Sequence, residues 1–181
     1  MGLAAGKNLY SYAKNTFGFI DPLGLCKKGL GDASTSPWLK DSRTGVRMHL
    51  EEFRNGGTFL TTRNVYDKVI DGKKMIGYPD NTMYITKKGY MDKLFSEANG
   101  DISVLEKRLG FDSGHFAKNG GLVRVDIKNP LLHNARMPSG LEMGANNHFK
   151  WGGYTSGGAP EAVINQVPNT NEFRTIKFLD W

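Results

Sequence analysis

A single cysteine, Cys26, stands in the chain. That excludes an internal disulfide framework and any cysteine-based zinc site. No histidine lies near it in sequence, so it is read as incidental rather than as a catalytic thiol. Long apolar runs are missing as well. No window of 18 apolar residues exists, which leaves no candidate transmembrane helix, and no membrane partner is expected. The opening Met1-Gly2-Leu3-Ala4-Ala5-Gly6 has neither the basic start nor the apolar core of a signal peptide. Export is therefore expected to depend on a parent protein. Acidic residues are in deficit, 18 against 24 Lys and Arg, for a net charge of +6. This favours acidic partners or nucleic acid without selecting either. Histidine is scarce, and His49, His115, His133 and His148 show no H-x-x-x-H spacing. With no paired acidic cluster either, no metal is expected.

What is present divides the chain into three parts. Residues 1–25 hold Asn8-Leu9-Tyr10-Ser11-Tyr12-Ala13-Lys14-Asn15 and then Asp21-Pro22-Leu23-Gly24-Leu25. Asp-Pro followed by Leu-Gly is a turn signal, because Pro fixes one φ and Gly permits the positive φ that follows. An N-L-Y-x-Y-x-x-N run followed by D-P-L-G-L resembles the closing repeat of an Rhs/YD-repeat shell. That resemblance implies that the residues beyond it are a toxin cargo. It also implies self-cleavage after Leu25, with Asp21 as one protease carboxyl and its partner upstream. Acid–base peptide hydrolysis needs such a pair, one member protonated and one ionised. Residues 26–56 read as a linker that gives way to a short helical segment around Arg47–Phe53, and residues 57–181 as the catalytic domain.

The expected fold of that domain is α+β. Gly57–Thr62 reads as a first strand, Pro79-Asp80-Asn81 as a turn and Thr82–Thr86 as a short strand. Tyr90, Met91, Leu94, Phe95 and Ala98 share one helical face. Asp101 is placed to cap a second helix carrying Ile102, Leu105 and Leu109, with Gly110 as its stop. Leu122–Ile127 alternates strictly, with Val123, Val125 and Ile127 on one face. Ala162–Val167, ended by Pro168, and Phe173–Leu179 are two last strands that could form a hairpin.

Residues 133–161 fit no period. They are polar and Gly-rich yet contain Trp151 and Tyr154, the composition of a ligand loop more than of a core. Glu161 ends this loop and opens a strand, since Pro160 pushes Ala159 into extended geometry. A Gly-rich loop, a Glu, an apolar strand, a Pro and a further strand resemble the end of ADP-ribosyltransferase domains. The layout is also similar to that of tuberculosis necrotizing toxin-type NAD glycohydrolases, which have Gln at the corresponding place. The resemblance implies a split β-sheet core with a few helices and long Gly-rich loops, NAD as substrate, and Glu161 holding the NAD ribose. A carboxylate there would stabilise the oxocarbenium-like state in which the nicotinamide–ribose bond breaks.

Other roles follow from the same resemblance. Glu142 becomes a second acid that helps deprotonate the acceptor. Arg136 is the first candidate for the pyrophosphate, ahead of Arg124, which lies on the strand face opposite Val123 and Val125. Arg63, just after the first strand, matches the place where many transferases keep an NAD-binding Arg. Thr155 and Ser156 could position the ribose, and Tyr84 or Tyr154 could stack on nicotinamide. Departures are visible. Position 159 is Ala, where arginine-modifying transferases carry the first Glu of an E-x-E pair. Tyr84-Ile85-Thr86 and Tyr154-Thr155-Ser156 compete for the serine-threonine-serine strand, and Ile76-Gly77-Tyr78-Pro79 lacks the Arg usual in the glycohydrolase toxins.

The expectation is a toxin released from an Rhs effector, through type VI secretion, into the cytoplasm of a competitor cell. Its partners would be the parent shell, an immunity protein in the producer, and a macromolecular acceptor, protein ahead of nucleic acid, with translation components as one target class. A glycohydrolase and a metal-independent nuclease using His148 or His133 stand as alternatives. A binding module without catalysis is a third.

Overall fold

A computed structural model describes residues 45–179, which combine helices with antiparallel sheet, an α+β fold. The repeat-like segment, with Asp21, Leu25 and Cys26, lies outside the described residues. A compact unit begins at Val46, ahead of the expected start at 57. The physical reason is Phe53, which follows a helix over residues 45–51 (α1) and is fully buried in the core.

The main sheet has five strands: β1 (Gly57–Thr62), β3 (Met83–Lys87), β4 (Leu122–Ile127), β5 (Glu161–Ile164) and β7 (Arg174–Leu179). Their order is β5-β3-β1-β4-β7, with every neighbour antiparallel. β2 (Met75–Ile76) and β6 (Val167–Pro168) form a separate two-stranded ribbon. The final strands make no hairpin. β5 pairs with β3 and β7 with β4, at opposite edges of the sheet.

Strand alternation assigns the two faces. Phe59, Ile85, Val123, Val125, Ile127, Ala162 and Ile164 point to one side, where Phe53, Ile70, Ile76 and Val167 complete an apolar core. On the other side Leu60 and Leu122 pack against α3 (Lys88–Ala98) and α4 (Ile102–Leu109) through Met91, Leu94, Leu105 and Leu109. Register also places a polar row across this second face. Glu161 pairs with Thr86, Thr86 faces Thr58 across β1, and Thr58 pairs with Asp126.

Local chemistry explains the helix ends. The Asp101 carboxylate accepts the Ser103 amide at 2.9 Å, and Gly110 closes α4 at φ 76°. Thr62 caps α2 (Arg63–Val69) by accepting from the Val65 amide at 3.3 Å. Glu106 is 2% exposed, and its carboxylate takes the Gly114 and Phe116 amides at 2.8 and 3.0 Å. It thereby anchors the short helix α5 (His115–Lys118) and the turn before it.

Candidate active site

A cleft of about 380 Å³ opens on the polar face of the sheet. This lies within the usual size range of small-molecule sites. Thr58, Thr86 and Glu161 line it from the sheet, Phe111 and His115 from the helical side, and residues 144–149 from the long loop. The loop is held by its own polar contacts. Asp80 accepts the Met143 amide at 2.8 Å, and the Asn146 amide group reaches the Gly110 carbonyl at 3.4 Å. Further along, Gly157 passes directly over the last turn of α4. A Cβ there would lie 2.1 Å from the Lys107 carbonyl oxygen, so no larger residue fits.

Glu161 is the distinctive group. It is the first residue of β5, and its hydrogen bonds among the described residues run through its backbone alone. Its carboxyl is unpaired beside the cleft. Burial pushes that carboxyl up to about 7, and the nearby charge of Glu142 adds to the rise. Glu142 behaves in the opposite way. Burial raises its carboxyl, but hydrogen bonds overcome this and hold it at about 2. The Tyr84 hydroxyl donates to it at 2.6 Å, and the Ser139 amide and hydroxyl donate at 2.9 and 2.8 Å. Burial and the Glu142 carboxylate raise Tyr84 well above the usual phenol range. Two carboxyls whose surroundings drive them apart are what acid–base chemistry requires.

The remaining expected site residues separate into two groups. Tyr84, Thr155 and Ser156 line the cleft with Glu161. Thr155 is also a framework residue, since its hydroxyl donates to the Arg108 carbonyl at 2.6 Å and accepts the Ala159 amide at 3.0 Å. The three arginines are elsewhere. Arg124 is 6% exposed and paired with Asp126 at 2.7 Å and with Asp92. It is thus neither solvated nor in the cleft, because α3 covers that half of the sheet. Arg136 pairs its backbone with Val163, while its guanidinium donates to the Asn134 carbonyl and to Asn165. Arg63 lies over the Phe178 ring at 4.4 Å and beside Asp67. Tyr154 packs edge-on against His49 at 5.2 Å. Among the described residues, neither Arg nor Lys lines the cleft; the basic side chains there are His115 and His148. His148 is bonded to Asp112 at 2.8 Å, and His115 stacks on Phe111 at 4.6 Å.

Sequence reasoning missed Thr58, Thr86 and Asp126. The Thr58 hydroxyl donates to Asp126 at 2.7 Å, so the cleft floor is tied to the Arg124 ion pair. Alternation within the expected strands could have placed the two threonines on one face, but only the register brings them level with Glu161. Among the described residues, no group of three or more His, Cys, Asp or Glu could hold a metal ion. No protein-family model matches the chain, and no curated protein or solved structure matches it either.

Proposed function

We propose that the chain is a toxin that breaks the nicotinamide–ribose bond of NAD and transfers ADP-ribose to a macromolecule in a competitor's cytoplasm, with Glu161 as the central catalytic group. The observation that carries this reading is the Glu161 carboxyl, unpaired among the described residues, half-buried at the wall of a cleft and near Glu142, whose hydrogen bonds hold it well below the usual carboxylate range. In its ionised form Glu161 accepts a hydrogen bond from a ribose hydroxyl and stabilises positive charge developing on the sugar. Thr58 commits its proton to Asp126, so it offers the cleft only lone pairs, which suits a sugar hydroxyl donor. Tyr84 and Phe111 supply ring surface for the nicotinamide or adenine. With no arginine lining the cleft among the described residues, the pyrophosphate falls to backbone N–H groups and to His115 and His148. Arg63, Arg124 and Arg136 are not among the residues that line the cleft.

An α+β core with a five-stranded sheet and a separate ribbon is compatible with the split sheet of ADP-ribosyltransferases. The Rhs-like segment ahead of the domain supports delivery by a parent shell through type VI secretion. A toxin of this kind requires an immunity protein in the producer, and the net charge of +6 favours an acidic one.

The test is incubation with labelled NAD and bacterial lysate, beside Glu161→Gln. Label that moves to a macromolecule, and is lost in the variant, supports the transferase. Free ADP-ribose without labelled macromolecule makes the protein a glycohydrolase. A nuclease is favoured by one observation, that His115 and His148 both line the cleft with His148 held by Asp112. That reading gains if NAD stays intact and RNA is cut by the native chain but not by His148→Ala.

A further inference from the structure

β5 is an edge strand, and its first residue carries the chemistry. In an extended strand the N–H and C=O of one residue point to the same side. The Glu161 amide donates to the Gly153 carbonyl at 2.7 Å, and its carbonyl accepts from His49 Nε2 at 2.8 Å. Both groups therefore face away from β3, and the sheet ladder does not hold this residue. Val163, two residues on, faces outward likewise and exchanges both its bonds with Arg136. The preceding residue, Pro160, has no N–H to contribute. A strand end so placed would fray without outside partners.

His49 is built into that position. It belongs to α1, is 7% exposed, and packs against the rings of Phe53 at 5.6 Å and Tyr154 at 5.2 Å. A carbonyl oxygen can only accept, so the proton sits on Nε2. Nδ1 is buried with no partner among the described residues. Among the described residues, one bond to Glu161 is thus all the polar bonding this buried ring makes. Gly153 fits the same arrangement. Its φ is +75°, and a Cβ there would lie 2.7 Å from His49 Nε2 and 2.6 Å from Met137 Cε.

We propose that His49 is a positioning residue for Glu161. By donating from Nε2 to the Glu161 carbonyl it fixes the backbone at the start of β5, and with it the direction in which the carboxyl enters the cleft. The inference rests on the catalytic reading of Glu161, but its structural half stands apart from NAD. It also makes α1, ahead of the sheet, an integral part of the site.

The experiment compares His49→Gln with His49→Met in the full chain. The two side chains match in length and bulk, and only Gln can donate from the Nε2 position, so packing losses cancel. Two quantities are read: NAD turnover, and the NMR titration of the Glu161 carboxyl with hydrogen exchange of its amide. His49→Met is expected to lower kcat about 10- to 100-fold with KM for NAD little changed, since small misplacements of a catalytic group cost this much. Its Glu161 titration midpoint should shift and the amide exchange faster, whereas His49→Gln should restore most of both. Equal kcat, midpoint and exchange in the two variants would overturn the proposal. If the native chain turns over no NAD, the NAD reading fails alone, and the midpoint and exchange difference still decides the role of His49.

Discussion

Two ends of one polar row behave in opposite ways. Asp126 sits beside Arg124 under α3, where each charge has a partner: Arg124 to Asp126 and Asp92, with the Thr58 hydroxyl also donating to Asp126. Glu161 lies on the same face of the same sheet, two strands away from Thr58, and its carboxyl has none among the described residues. Burying a charge is costly unless it is paired. The covered end meets that requirement and is framework. The open end leaves it unmet, and a ligand can supply the missing hydrogen bond. Pairing, more than burial, separates the residue that holds the fold from the one left open to the cleft.

The largest effect is expected from breaking the paired end. Arg124→Met leaves Asp126 buried without its cation and should cost about 3 kcal/mol or more in urea unfolding. Loss of activity in that variant would follow unfolding and carry no message about NAD. The open end should respond the other way. The Glu161 carboxyl is raised from 4.5 to about 7 in the folded protein. Its stabilising contribution is therefore complete below pH 4.5 and is lost as pH rises through about 7, a difference of about 3 kcal/mol. Glu161→Gln should accordingly be more stable than the native chain at pH 8 but not below pH 4.5, while turnover falls on the order of 100-fold or more. Thermal unfolding at the two pH values checks the first half, and kinetics the second.

The neighbouring carboxyl sharpens the contrast. Native kcat/KM should rise with pH around 7 as Glu161 ionises. Because the charge of Glu142 helps raise Glu161, Glu142→Gln should move that rise to lower pH. Glu142 itself is held at about 2, so its contribution is present above 4.5 and lost as pH falls through about 2. With partial exposure taken into account, its loss should cost about 1 kcal/mol at neutral pH. The smallest effect belongs to Arg136→Ala. Its guanidinium touches Asn134 and Asn165 away from the cleft, so stability should fall by about 1 kcal/mol or less. KM for NAD should not change, and a large rise in KM would return Arg136 to the site.

Some of this was legible in the chain. Asp101 and Gly110 bound α4 as the cap chemistry requires, and Leu122–Ile127 forms β4 with the expected alternation. Glu161 opens β5 just after Pro160. The helix α2 was overlooked, although Thr62 is an ordinary cap residue, because its run is short and its apolar residues Val65, Tyr66 and Val69 are only partly buried against the core. The three arginines show the other limit. Each was assigned by its neighbours in sequence, and each is engaged by a partner that sequence spacing did not select: Asp92 for Arg124, Asn165 for Arg136 and Phe178 for Arg63.

The chain by itself determined its local elements, because caps, turns and alternation depend on residues a few positions apart. It also marked Glu161 as the end of a loop that could not be core. Tertiary structure alone decided which charges are satisfied. His49 reaches Glu161 across 112 positions and Thr58 reaches Asp126 across 68. The first pair depends on where α1 packs and the second on register, and a slip of one residue would turn Glu161 to the opposite face of the sheet.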